Sequence, residues 1–129
     1  MKKLLVLLFS FFLLSSSSVF ADDVTYHCDL DTSYKTSKSN KWFNKIIEYS
    51  FTLKNNKYIE LYDHEINMTY TSLMSVSEHN SQFLIASYKD SVFYKTLVIN
   101  IEKGFATYSV SPIDGSYKGQ YSEGKCYKQ

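Results

Sequence analysis

The sequence predicts an all-β fold: an antiparallel up-and-down meander of about eight strands forming a small closed or partly open barrel, with a β-sandwich as the alternative. Three observations predict it. Short β-rich segments recur at intervals of roughly 8–12 residues, with turn residues between them. Past the N-terminal apolar run, no stretch sustains the apolar stripe that a helix would bury. The two cysteines, Cys28 and Cys126, stand near the two ends of the remaining chain.

The N-terminal run "MKKLLVLLFSFFLLSSSSVFA" has the three parts of a secretory signal. Lys2 and Lys3 supply positive charge, Leu4 to Leu14 is apolar apart from Ser10, and Val19-Phe20-Ala21 ends on the small residues a signal peptidase reads. The apolar run falls short of the roughly 20 residues that span a bilayer. Cleavage is therefore expected after Ala21, leaving residues 22–129 as a single domain with no membrane span. Asp22 stands where a lipoprotein would carry cysteine, so the product is expected to be free of a lipid anchor. The implied location is periplasmic or secreted.

The strands follow in order. "VTYHCDL" alternates, with Val24, Tyr26, Cys28 and Leu30 on one face. Asp31 to Lys41 is polar and reads as a loop, with Trp42 and Phe43 in a short turn that plugs one end of the core. "IIEYSFTL" places Ile47, Tyr49, Phe51 and Leu53 together. "KNNK" is a hairpin turn from which "YIELYDH" runs back. Glu65 to Ser77 holds one longer strand or two short ones. "QFLIASY" is a buried strand between turns at "EHNS" and "KDS". "VFYKTLVINI" follows, with Phe93, Leu97, Ile99 and Ile101 on one face. A tight turn at Gly104 leads to "FATYSVS". "PIDG" has the proline and glycine of a turn, and "SYKGQY" with "GKCYK" completes the set.

Export would place both cysteines in an oxidising compartment, where an even count of two permits one intramolecular bridge, Cys28–Cys126. That bridge staples the first strand to the last. For loops of about 100 residues, chain entropy predicts roughly 4–5 kcal/mol of stabilisation. The alternative, a redox thiol pair, lacks a C-x-x-C motif.

Charge and chemistry narrow the function classes. Twelve lysines and 13 acidic residues remain after cleavage, with no arginine. That balance argues against a nucleic-acid partner, and the bidentate phosphate fork of arginine is missing. The three histidines, His27, His64 and His79, show no metal-ligand spacing. Asp63, His64 and Glu65 are adjacent and read as a polar turn. His27 and Cys28 point to opposite faces of one strand, which argues against a cysteine–histidine nucleophile. Glu48 and Glu60 on facing strands could form a carboxylate pair. No G-x-S-x-G is present. The reading is therefore of a non-enzymatic protein with no catalytic residue, no metal and no cofactor. Asn67-Met68-Thr69 matches a glycosylation acceptor pattern.

The aromatic content stands out, with 12 tyrosines in the chain. Tyrosine joins an apolar body to a polar tip, which suits either a half-buried strand or a pocket wall. Tyr117, Tyr121 and Tyr127 crowd the last segment, and Tyr117 and Tyr121 share a strand face.

The early Tyr26-His27-Cys28, the β-rich middle and the closing Gly124-Lys125-Cys126 resemble small uncharacterised exported bacterial β-barrel proteins with an N-to-C-terminal disulfide. The architecture is similar to lipocalin-like barrels, although the G-x-W of true lipocalins is absent. "VTYHC" also resembles the start of periplasmic inhibitors of C-type lysozyme, without their S-G-x-x-Y inhibitory motif. These resemblances imply a fold and carry no site residue across. The expected function is an exported binding protein holding a small apolar or aromatic ligand. The alternative is a protein–protein module, such as an envelope-protein or hydrolase inhibitor, working through the Asp31–Lys41 loop or the "PIDGSYKG" turn. The expected partner is a small molecule or an envelope protein, and the expected state is a monomer.

Overall fold

A computed structural model describes residues 23–35, 41–114 and 119–129. The segment read as a signal, its cleavage site and Tyr117 lie outside the described residues.

The strands are β1 (Val24–Lys35), β2 (Trp42–Lys54), β3 (Tyr58–Asp63), β4 (Met68–Thr69), β5 (Met74–His79), β6 (Phe83–Lys89), β7 (Phe93–Asn100), β8 (Phe105–Pro112) and β9 (Gln120–Lys128). Their order is β2-β1-β9-β8-β7-β6-β5-β3-β4, and an added β2–β3 pairing closes the ring. The result is a closed eight-stranded antiparallel barrel in meander order, with β4 as an extra strand. Closure removes most of the sheet edge a sandwich would leave open. Among the described residues no helix is long and apolar enough to cross a membrane.

Local chemistry sets each turn. Asn55 and Asn56 both take positive φ, the pattern of a two-residue I′ hairpin, and Lys57 N–H donates to the Lys54 carbonyl at 3.0 Å. Four later turns open on a side-chain carbonyl or carboxylate that accepts backbone N–H groups ahead of it. Asp63 serves Glu65, Asn80 serves Gln82 and Phe83, Asp90 serves Val92 and Phe93, and Asn100 serves Lys103. Gly104 closes the β7–β8 turn at φ +67°, where an L side chain would be strained.

Strand alternation fills the barrel. Tyr26, Cys28 and Leu30 of β1 point inward, as do Ile47, Tyr49, Phe51 and Leu53 of β2. Ile59 and Leu61, Met74, Leu84 and Ala86, Leu97 and Ile99, and Ala106 and Tyr108 complete the core from the other strands. Cys28 and Cys126 are register partners with Cα atoms 4.0 Å apart, and they are bonded inside the barrel. An oxidising extracytoplasmic location is consistent with that bridge.

The structure corrects three local expectations. Asp31 to Lys35 belongs to β1 instead of a loop, because it pairs with β2 as far as Lys35↔Trp42. Trp42 and Phe43 lie in β2 and do not plug the core: Trp42 is 56% exposed. Glu65 to Ser77 resolves into two short strands, since β3 pairs with β4 at one end (Tyr62↔Thr69) and with β5 at the other (Ile59↔Met74).

The seam between β1 and β9 is unusually close at Gly124, the partner of Leu30. A Cβ there would lie 2.3 Å from the Asp29 carbonyl oxygen, a backbone atom that cannot rotate away. At Gly119 the nearest atom would be 3.5 Å off, an ordinary contact. Gly124→Ala should therefore lose about 1–3 kcal/mol in a urea titration, while Gly119→Ala should stay within about 0.5 kcal/mol of the parent. Equal midpoints for the two variants would contradict this seam.

Candidate functional site

Antiparallel order puts two kinds of barrel end on the molecule. One carries the β2–β3, β5–β6 and β7–β8 turns, and its interior is packed with Phe51, Leu53, Ile59, Leu84, Ile99 and Ala106. The other carries the β3–β4 turn, the Asp90 turn and the start of β9. Here the described side chains leave part of the interior unfilled. A cavity of about 220 Å³ is lined by Tyr49, Leu61, Tyr70, Phe93, Lys95, Tyr108, Val110 and Gln120. A second depression of about 300 Å³ shares Tyr49 and Gln120 and adds Tyr34, Asp63 and Glu65 toward the rim. Together they form one mouth.

Lys95 is the unexpected member. Its register partners are Tyr88 on β6 and Val110 on β8. Alternation from Leu97 and Ile99 turns it inward, and it is only 8% exposed. The ammonium lies 4.9 Å from the centre of the Tyr70 ring, 5.8 Å from Tyr88 and 5.9 Å from Phe93. Ring faces attract a cation through their quadrupole. Its Nζ donates one hydrogen bond, to Ser72 Oγ at 3.2 Å. Burial lowers the pKa of Lys95, with the charge of Asp90 opposing that shift.

A chain of buried hydrogen bonds forms the opposite wall. Gln120 Nε2 donates to the Tyr49 hydroxyl at 2.8 Å and to Ser122 Oγ at 3.3 Å. Ser122 and Thr32 hydroxyls are 2.8 Å apart, and Thr32 donates onward to the Leu30 carbonyl at 3.0 Å. Tyr49 and Tyr108 pack edge-on, with ring centres 5.6 Å apart, and Phe51 meets Tyr108 at the same distance. Tyr108 makes no hydrogen bond to a described residue, although it is only 3% exposed and lines the cavity. Asp63 is buried at the rim. Its Oδ1 accepts the N–H groups of Glu65 and Ile66, and its charge adds to burial in raising the Tyr70 pKa.

A different group assembles on the outer wall. His27 and Asp29 share the outward face of β1, and Glu48 is the register partner of Asp29. One ligand atom from each lies within 4.8 Å of the others. His64 meets the His27 ring edge-on at 5.3 Å, and its Nε2 is 2.6 Å from Ser50 Oγ. His27 turns Nε2 toward Asp29 at 3.7 Å, while its Nδ1 is buried without a hydrogen-bond partner among the described residues. The donor types suit a divalent cation. Both carboxylate side chains are exposed, however, and Lys125 faces Asp29 across the β1–β9 register, so the arrangement is equally that of a solvated polar face.

The residues singled out from the sequence fare unevenly. Cys28 and Cys126 come together. Glu48 and Glu60 do not: Glu60 pairs with Thr52, four positions along β2 from Glu48. Cys28 and His27 face opposite sides of the wall, as alternation requires. Tyr121 and Tyr127 are exposed on the outside and line no part of the mouth. Lys95 lies within the apolar face that the sequence gives to Phe93, Leu97 and Ile99, where a charged residue is not expected. The same parity, followed strictly, places a lysine indoors. Searches against protein-family models and against curated proteins return no match.

The buried phenols make the mouth sensitive to alkali. Burial raises both Tyr49 and Tyr108 above the ordinary phenol value of 10.0. Folded protein then keeps protons that the unfolded chain releases, so their contribution is intact below pH 10 and lost as pH rises beyond it. Each such tyrosine should remove about 1.4 kcal/mol of stability per pH unit above its unfolded pKa. Lys95 acts with the opposite sign, gaining stability as pH climbs from its lowered pKa to 10.5. Urea midpoints of the parent and Tyr108→Phe, compared at about pH 9 and about pH 11, isolate the phenol because Lys95 is common to both. Tyr108→Phe should lose less stability between the two; an identical loss would contradict a buried, proton-retaining Tyr108.

Proposed function

We propose that the protein is an exported, non-enzymatic binding protein that seats a small ligand with an aromatic or apolar body in the open end of its barrel. The observation that carries this reading is the unfilled cavity beneath Tyr49, Tyr70 and Tyr108, at the end of a barrel whose other end is packed. Small barrels hold a ligand only where side chains leave the interior free. An apolar cavity of ~150 Å³ accepts benzene, so about 220 Å³ has room for one ring with a substituent. The mouths of β-barrels are a common place for such sites. The rings are held by packing, and Tyr49 is fixed further by Gln120, so little side-chain freedom would be lost on binding.

A second reading, a protein–protein module, has one observation in its favour. β2 pairs with β3 only from Tyr49 onward, so among the described residues Trp42–Ile47 is paired on its β1 side alone. Trp42, Phe43 and Ile46 are exposed there, Ile46 at 69%. An extended segment of an exported partner could add to this edge by strand pairing.

One experiment separates the two. The protein is exported through its own N-terminal segment and its native mass spectrum recorded, beside Val110→Trp, which fills the cavity, and Ile46→Lys, which charges the edge. A small-molecule adduct on the parent and on Ile46→Lys, lost from Val110→Trp, is the expected result. An adduct that survives Val110→Trp places the ligand elsewhere. A partner lost only from Ile46→Lys favours the second reading.

A further inference from the structure

We infer that the ligand of the barrel mouth is a small aromatic monoacid, with its carboxylate on Lys95 and its ring among Tyr49, Tyr70 and Tyr108. The inference rests on the reading of the mouth as a ligand site and adds the chemical class.

It begins with a cation that the fold does not need. Lys95 is buried, and among the described residues its ammonium meets one hydroxyl and three rings. No carboxylate among the described residues forms an ion pair with it. Asp90 is the carboxylate whose charge bears on Lys95, and it is already committed: Oδ1 accepts the N–H groups of Val92 and Phe93 at 2.8 and 2.7 Å, and Oδ2 accepts the Tyr88 hydroxyl at 2.8 Å. Asp63, at the rim, gives Oδ1 to its own turn, and its charge bears on Tyr70 and not on Lys95. A charge taken from water without a counter-ion is costly, and ring faces repay only part of that cost. An incoming anion supplies the missing partner.

The other polar groups of the cavity are suited to an anion. Tyr49 accepts the bond from Gln120, which leaves its own proton without an acceptor among the described residues. Tyr108 has no hydrogen-bond partner at all among them. The cavity therefore offers an ammonium and two phenol donors, and among the described residues the carboxylates of the mouth, Asp63 and Glu65, line the outer depression and not the cavity itself.

Charge count and shape choose among anions. One ammonium neutralises one charge, and the chain has no arginine to grip a phosphate with a planar fork. Beyond the ammonium, the phenols and Gln120, the lining is made of Leu61, Val110, Phe93 and ring faces, which suit a hydrocarbon ring better than a phosphate's remaining oxygens. An organic carboxylate with an apolar ring satisfies both halves of the site.

The test is a calorimetric titration of the exported protein with benzoate, with benzamide as a neutral isostere, and with inorganic phosphate. Benzoate should saturate one site, with benzamide and phosphate weaker by tenfold or more. Lys95→Met should lose benzoate affinity tenfold or more, keep its benzamide affinity, and melt at the same or a higher temperature because an unpaired buried charge is gone. Equal affinity for benzoate and benzamide would overturn the inference while leaving the ligand site standing. Binding of neither would overturn the ligand site and the inference together. Phosphate binding tighter than benzoate would replace the ligand class. A Lys95→Met variant that melts lower and loses both aromatic probes would make Lys95 a structural residue and overturn its role.

Discussion

Pairing of the first strand with the last is the interaction on which the rest of this barrel depends. β1 lies between β2 and β9, so the ring cannot close until both neighbours are in register. The Cys28–Cys126 bond joins residues directly opposite one another and fixes that register to a single residue. A slip by one would turn every side chain of β9 to the wrong face. With the register fixed, each second residue of β9 is placed in turn: Gly124 against Leu30, Ser122 against Thr32, Gln120 against Tyr34. The covalent bond in the wall thus determines which groups stand at the mouth several residues away.

The two halves of the interior obey different physics. Below, apolar side chains from every strand interdigitate, and hydrogen bonding is left to the sheet. Above, polar groups are buried and have to be satisfied one by one. Gln120, Ser122, Thr32 and the Leu30 carbonyl manage this by passing donors in one direction. Asp63 manages it by capping its own turn. Lys95 and Tyr108 are the exceptions, and both line the same cavity. Two incompletely satisfied groups in one cavity point to a place shaped for something other than stability; the further described departure, His27 Nδ1, lies apart on the outer wall.

Much of the fold was legible because its signals are local. Alternation in "VTYHCDL" and "IIEYSFTL" identified the inward faces of β1 and β2, and asparagine, aspartate and glycine marked the turns. Strand number and the position of two cysteines pointed to a closed or partly open barrel, with a sandwich as the alternative, and the β2–β3 pairing decides for closure. What escaped was set by pairing. Asp31 to Lys35 looks like a loop because it is polar, yet it is held as strand by neighbours on both sides for most of its length. Trp42 and Phe43 look like core because they are aromatic, yet β2 extends beyond the reach of β3 and leaves them outside. The mouth draws its residues from β1, β2, β3, β7, β8, β9 and the segments after β3 and β4, so no window of sequence displays it. Tyr49 and Lys95 carry local signals, an inward place in the alternation of β2 and a lysine at an inward position of an apolar strand.

Placing β9 between β1 and β8 also has a consequence in time. A chain being made or threaded without residues 120–128 has two unpaired edges, and its most distant contacts are still to come. Local hairpins such as β2–β3 and β7–β8 can form early, since their loops are short. The closing seam must wait for nearly the whole length of the polypeptide, and such non-local pairings are slow to form. During that interval β1 and β8 are open templates for strands of other chains. Barrel closure in this topology is a late event, and crowding of unfinished chains is the condition under which it would most easily go astray.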